Sequence, residues 1–540
     1  MINAFKNCFL WRVVAYIAAH LAQWYDTSLL GRIGQFFARH YRNSVLKRIW
    51  NRYVERDSGV YTSIYGRFFT WLDRLCTRFG AWFMPVCKKS LVYRLYTGTK
   101  TVLVRLWTKY ASDGIVGRLI GALGLNVRRA VLLCIGFYLP IDWLLRDVLK
   151  ISALASIWDE AFFALSAAYI VSCRVAGKKL LSERDSHVSP LDLPILLFVA
   201  LGLFLMCVNS PVFSIAVAGY RATVQYMLWF FVVIRLLEDD HDVYLLAGAV
   251  ALTGLLMAFH GVYQYIVAAP IPAHWVSQAE AGVRTRAFSI TGSPNILGAF
   301  LVMTAPIVAG VSYTFDKLWK KLFAWAMVCV MCVCLLVTFS RGAWFGMCIS
   351  VVMFAIVYDR RIFAPLATAV PAVMFIPSIA NRILFLFTDD FATASASGGR
   401  AERWAVGKEL MESNPLFGFG LGRFGGAVAM QNQYLEVTEE FSYFYMDNYY
   451  LKIGTEMGYT GLVTFIILIA ALVWLGLRCA VRAQRISCTV GAVSSGIFAG
   501  LCGIAAHCYF ENIFEEPYMM ALFWSLAAAL MFYGYIRRRT

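Results

Sequence analysis

Charge is scarce in this chain. Asp, Glu, Lys and Arg together make up 15% of its 540 residues, while 60% are hydrophobic. A soluble globular protein carries about a quarter charged residues, so that class is excluded. Short strands of alternating polar and apolar residues are also missing, which excludes a membrane barrel. Metal ligands do not gather: Cys329-Val330-Met331-Cys332 has no histidine or carboxylate beside it, and Cys134, Cys173, Cys207, Cys348 and Cys502 lie inside apolar runs. Thiols in such runs act as small packing groups, so neither a zinc site nor a disulfide framework is expected. No internal repeat is evident, which argues against the rival reading of a transporter or lipid flippase. Acidic residues are few at one end: residues 1–127 hold 19 Lys and Arg against 5 Asp and Glu, or +14 of the net +17.

What is present is a series of apolar runs of about 17 to 25 residues, the length that crosses a bilayer as a helix. Twelve are counted: 129–148, 152–173, 192–209, 212–236, 243–268, 294–312, 322–339, 342–357, 363–380, 449–477, 487–508 and 517–536. The expected fold is therefore an all-α polytopic membrane protein of about 12 transmembrane helices. Lysines and arginines at 317, 320, 321, 360, 361, 478, 482, 485 and 537–539 fall on one side, together with the basic N-terminus. The positive-inside rule makes that side the cytoplasm. One loop dissents: Glu238-Asp239-Asp240-His241-Asp242 is acidic yet internal. Residues 1–127 mix basic and aromatic residues every few positions, as helices lying in an anionic interface do. So much apolar surface favours lipid over nucleic acid.

Two long loops face the opposite side. One spans about 269–293 and holds Arg284 and Arg286; the other spans 381–447, and loops of this length are usually functional. Its middle, from Arg400 to Met411, reads as a helix, broken afterwards by the Gly-rich Asn414–Gly422. Arg341 starts the apolar run that leaves this face, and Asp447 precedes the run that re-enters it. Singly, each group has a bland explanation. Arg341 can snorkel to headgroups, Arg400 and Arg403 can pair with Glu402 or Glu409 on a solvated helix, and Asp447 can cap the helix after it. Together, arginines and a carboxylate at one membrane face suit a diphosphate-linked substrate. Arginine forks grip phosphate oxygens, and a carboxylate takes or orients a hydroxyl proton.

These residues resemble a family. Arg341 followed by Phe345 is similar to the Arg-x-x-x-Leu element of O-antigen ligases. Asp447-Asn448, nine residues, then Gly458-x-x-Gly461 resembles their His-Asn-x9-Gly-x-x-Gly element, with Asp447 in the histidine's place. Gly399-Arg400-x-x-x-Trp404 looks like the second arginine motif of the large loop. Asn414-Pro415-Leu416 through Gly422 resembles the stretch after it, and Ser293-Pro294-Asn295 an earlier turn. The chain thus resembles the O-antigen ligase and O-antigen polymerase superfamily over residues 190–536.

The resemblance implies a GT-C-like, metal-independent, inverting transferase without cofactor in the bacterial inner membrane, with cytoplasmic termini and a periplasmic active site. The implied donor is an undecaprenyl-diphosphate-linked glycan. The acceptor would be a lipid A-core or another glycan, lipid or protein, so polymerases and protein O-oligosaccharyltransferases remain alternatives. Asp447, Arg341 and Arg400 are the expected catalytic residues. Arg341, Arg400, Arg403, Arg284 and Arg286 would bind the donor diphosphate, and Asn448, His507 and Trp404 would contact acceptor or glycan. Four regions follow: a basic amphipathic cytoplasmic layer (1–127), a transmembrane bundle (128–380), a large periplasmic loop with short helices (381–447) and C-terminal transmembrane helices (448–540).

Overall fold

The computed structural model describes residues 27–42, 44–55, 62–110, 123–176, 188–209, 211–270, 285–384, 399–433 and 445–537, with isolated residues between these runs. Among the described residues, all regular structure is helical. Four helices form the N-terminal layer: α1 (Leu29–Arg42), α2 (Val45–Glu55), α3 (Ile64–Lys89) and α4 (Leu91–Tyr110). Next come α5 (Val127–Gly136), α6 (Tyr138–Trp143), α7 (Trp158–Val175), α8 (Asp192–Val208), α9 (Phe213–Leu236) and α10 (Asp240–Ile266). The chain continues through α11 (Pro294–Ser312), α12 (Leu318–Val337), α13 (Arg341–Val357), α14 (Phe363–Met374) and α15 (Pro377–Leu384). It ends with α16 (Arg400–Ser413), α17 (Ala427–Asn432), α18 (Tyr449–Gln484), α19 (Cys488–His507) and α20 (Pro517–Ile536).

Seven of these, α9, α10, α11, α12, α18, α19 and α20, are long and apolar enough to cross a membrane. They coincide with seven of the twelve runs read from the sequence. Two more runs form the apolar 17-residue helices α8 and α13. The other three are interrupted or displaced. Residues 129–148 divide into α5, α6 and a π-turn at Leu144–Val148, and 363–380 divides between α14 and α15. Only from Trp158 does the run at 152–173 become one helix.

The centre of the bundle is α20, buried along its whole apolar window; α19 (89%) packs beside it, and α11 (83%) packs against α19. Membrane helices pack through small residues that let backbones approach. On α19, a Cβ at Gly503 would come 2.7 Å from the Gly346 carbonyl oxygen of α13, and Gly496 and Gly500 sit equally tightly against α11. By contrast, α12 is buried along only 22% of its window, so its apolar surface faces outward.

The acidic loop that dissented from the charge rule is neutralised within the fold. Arg128 pairs with Glu238 (3.1 Å) and Asp242, Arg129 with Asp239 (2.8 Å) and Asp242 (2.9 Å), and Arg537 with Asp240 (2.7 Å). The topology rule counts lysines and arginines rather than net charge, so a loop whose acids are already paired need not break it.

The N-terminal helices dock on the bundle through specific contacts. Tyr65 on α3 donates to Asp192 of α8 (3.0 Å), and Asp73 pairs with Arg174 of α7 (3.2 Å). On α2, Trp50 stacks edge-on against Trp474 of α18, Glu55 pairs with Arg485 (2.9 Å), and Arg478 lies 4.6 Å from the Tyr53 ring centre.

Candidate active site

Arg400, Arg403 and Trp404 open α16, three and four residues apart, and therefore share one helix face. That face meets Asp447. Arg400 Nε donates to Asp447 Oδ2 at 2.5 Å, Trp404 Nε1 donates to Oδ1 at 3.0 Å, and Arg403 Nη1 stands 4.0 Å from Oδ2. Both oxygens of the carboxylate are engaged by charge-assisted or indole hydrogen bonds. Arg400 reaches further, donating from Nη2 to the Phe510 carbonyl at 3.0 Å. It thereby ties the large loop to the connection between α19 and α20. Beside it, the Trp404 ring meets Tyr509 edge-on at 5.2 Å.

Asp447 is not the helix cap. Asn448 is, its Oδ1 accepting from Leu451 N at 3.0 Å. Asn448 is only 4% exposed, so its side chain serves α18 rather than presenting itself to an acceptor.

Arg341 begins α13 after a three-residue turn from α12. In that turn Phe339 takes a left-handed backbone (φ 53°), uncommon for a bulky residue and worth about 1–3 kcal/mol of strain, a pattern that clusters at functional sites. Arg382 Nε donates to the Phe339 carbonyl at 2.7 Å, and Trp344 Nε1 donates to Leu335 O at 3.0 Å. The first turn of α13 lies directly on the α19 terminus. A Cβ on Gly342 would come 2.9 Å from both His507 Cδ2 and Phe510 Cβ. The first turn of the Arg341 helix and the Arg400 guanidinium thus meet the same short segment, residues 507–510.

Arg286 is buried. Its Nε donates to Thr338 O at 2.8 Å, covering the carbonyl end of α12, and Nη2 donates to Asn295 Oδ1 at 3.3 Å. His507 is also buried, at 1% exposure, and packs under Gly342. Arg284 lies outside the described residues.

By sequence Glu511 lies with His507, Glu515 and Glu516 near the outer end of the eleventh apolar run, as an acceptor or glycan contact or a plain turn, and the fold brings it here. Asn295, at the start of α11, donates to its carboxylate. Burial pushes the Glu511 carboxyl up to about 7, with Arg400 opposing the rise and Asp447 adding to it. The only sequence signal was its position four residues after His507, just past a long apolar run.

The Gly-rich stretch after α16 explains the Gly458 motif. At Gly458 (φ 69°, ψ −171°) α18 breaks and restarts, and a Cβ there would sit 2.5 Å from the Leu416 carbonyl group. The freed carbonyls find partners in the loop: Phe419 N donates to Thr455 O (2.8 Å) and Gly420 N to Glu456 O (3.0 Å). In return, Tyr459 N donates to Pro415 O at 2.7 Å. Gly418, Gly420 and Gly422 all hold positive φ, which side chains resist and glycine does not.

A buried ionic group locks this loop in place. Lys452 Nζ donates to Glu515 Oε2 at 2.7 Å and lies 3.9 Å from Glu456 Oε2. Glu456 Oε1 accepts from Gly422 N (3.0 Å) and Phe424 N (3.2 Å), and Glu515 Oε1 accepts from Ala427 N (2.7 Å). The turn that follows Asp447 is thereby held against the loop that precedes it.

Among the described residues, no group of three or more His, Cys, Asp or Glu is arranged to hold a metal ion. The chemistry on offer is a set of guanidinium groups beside two carboxylates, one engaged by donors and one titrating near neutrality. No curated protein matches the chain. Residues 325–466 match the family described as O-Antigen ligase. The matching segment holds Arg341, Arg400, Asp447 and Gly458, in agreement with the resemblance read from the motifs.

Proposed function

We propose that this protein transfers a glycan from an undecaprenyl-diphosphate-linked donor to an acceptor hydroxyl at the periplasmic face of the bacterial inner membrane. The observation that carries this reading is the convergence of Arg400, Asp447 and Trp404 with the first turn of the Arg341 helix, inside an O-antigen ligase family segment. The seven long helices, the two shorter apolar ones and the three remaining runs make twelve crossings of a GT-C-like bundle with cytoplasmic termini. The four-region division follows from it: residues 1–127 lie along the inner interface, and 381–447 form the periplasmic loop.

In this reading Arg341 and Arg400 bind the donor diphosphate, with Arg403 and Arg284 adding positive charge. Arg286 acts through Asn295, and Trp404 and His507 shape the glycan side of the site. As the acceptor oxygen attacks the anomeric carbon, the bond from that carbon to the diphosphate oxygen breaks with inversion. The electron pair leaves on undecaprenyl diphosphate, where guanidinium groups stabilise the growing charge. Asp447, with both oxygens bonded, orients Arg400 and the incoming hydroxyl. Glu511 takes the hydroxyl proton, as a base poised near working pH does best. Ligation to a lipid A-core, polymerisation and protein O-glycosylation share this chemistry, and mass spectrometry of the glycoconjugate lost on gene deletion identifies the acceptor.

The test is complementation of that deletion strain. Arg341→Ala is expected to reduce the restored glycoconjugate about 100-fold, the scale for losing one preorganised charge-stabilising donor. Normal restoration by this variant would overturn the reading.

Glu511 adds a pH signature. A base must be deprotonated to act, so transfer on isolated membranes carrying their own donor and acceptor should rise with pH and level off above about 7. Below that pH, each unit costs about tenfold. Glu511→Gln should leave a rate about 100-fold lower that no longer rises through this range. A Gln variant that keeps the acid limb would remove the assignment.

A further inference from the structure

Helices α3, α7, α8 and α9 line an open-sided cavity of about 380 Å³ far from the Arg400 cluster in the chain, a size typical of ligand pockets. Its walls are apolar along two helices and end in arginine on both. On α7 the lining passes from Phe163 through Ile170 to Arg174, and on α9 from Leu228 through Phe231 to Arg235. Each series runs toward its helix C-terminus.

The two arginines are placed differently. Arg174 pairs with Asp73 of α3 at 3.2 Å. Among the described residues, Arg235 forms no ion pair with any carboxylate. Its Nη1 donates to the Phe231 carbonyl of its own helix (2.8 Å), and its guanidinium lies 5.5 Å from the Phe69 ring centre. The nearby Asp192 is already bonded by the Tyr65 hydroxyl at 3.0 Å and by the Ser189 hydroxyl at 2.5 Å. Asp192 and Asp73 answer its charge through space without touching it; a guanidinium with no direct carboxylate contact, at the end of an apolar cavity, matches a molecule with an anionic head and a hydrocarbon tail.

The setting favours the same occupant. One wall is α3, part of the N-terminal layer that carries +14 of the net charge and lies on the side the lysine and arginine pattern makes cytoplasmic. Basic pockets between helices on that side receive acidic lipid headgroups. We propose that this cavity is a site for one anionic glycerophospholipid, an acyl chain between α3 and the bundle and the phosphate on Arg235. The lipid would complete the joint between the N-terminal layer and the bundle, where α3, α7 and α9 line the cavity together.

The experiment is native mass spectrometry of the full-length protein, delipidated and then titrated with phosphatidylglycerol or with phosphatidylcholine of the same chains. The wild-type protein is expected to retain one phosphatidylglycerol in preference to phosphatidylcholine. Arg235→Gln should weaken phosphatidylglycerol binding about five- to tenfold, the scale of one basic contact to an acidic headgroup. Val171→Trp, which fills the cavity from its exposed rim, should weaken it while leaving Arg235 intact, and serves if the first variant does not fold. Equal retention of the two lipids overturns the site. So does wild-type phosphatidylglycerol binding by a folded Arg235→Gln, or by Val171→Trp if that is the variant measured. Glycan transfer need not be assayed, so this outcome is independent of the proposed reaction.

Discussion

Arg400→Ala is expected to lower glycan transfer about 1,000-fold, the largest single loss in the site. Three interactions disappear together: the 2.5 Å bond to Asp447, the 3.0 Å bond to the Phe510 carbonyl, and the charge proposed to meet the donor diphosphate. An arginine that stabilises charge on a phosphoryl group alone accounts for about 10³- to 10⁵-fold in other enzymes. The lower end is chosen because Arg403 and Arg341 remain. Arg400→Lys separates charge from geometry. A lysine keeps the positive charge but cannot form the planar fork that joins Asp447 to Phe510, so it should rescue the rate only in part. Transfer measured on membranes of the complemented strain decides the matter. Full rescue by lysine would reduce Arg400 to a point charge, and unchanged transfer by Arg400→Ala would remove it from the site.

Lys452→Met should produce the largest loss of stability. The amine is 3% exposed and lies between Glu515 and Glu456. Removing one member of a buried ionic group leaves its partners uncompensated and costs about 3–5 kcal/mol. Here two carboxylates would then face each other, and the loop from Gly422 to Ala427 hangs on both. Thermal unfolding of the detergent-purified protein should shift down by roughly ten degrees, as a loss of that size does in a large domain. Adding Glu515→Gln to Lys452→Met should recover part of it by removing one stranded charge. A midpoint unchanged by Lys452→Met would mean that water screens the group, contrary to its burial.

Lys452 also shows how sequence and structure differ in what they reveal. By spacing alone Lys452, one turn after Asn448, can pair with Asp447 or Glu456. The structure pairs it most closely with Glu515, 63 residues away. By sequence Asp447 can be a base or a cap, and the fold gives the capping role to Asn448. Arg286, expected from its external loop to bind the donor diphosphate, is buried against the end of α12. Glu511 had no motif around it, and only the packing of α11 against the α19–α20 connection brings Asn295 to its side.

Local sequence sufficed for the helical membrane class, the positions of the seven longest apolar helices, the helix starting at Arg400 and the break at Asn414–Gly422. It also carried the motifs that agree with the family segment. These are local properties: hydropathy over some twenty residues, the φ preferences of glycine and proline, and fixed short spacings, all set by residues near each other in the chain. Only the tertiary structure decided which charges meet. Arg400, Asp447, Phe510, Glu511 and Asn295 come from four distant segments, and small-residue faces on α19 set how closely those segments approach. Charge pairing depends on distance and burial rather than on order in the chain, so it appears once the helices are packed.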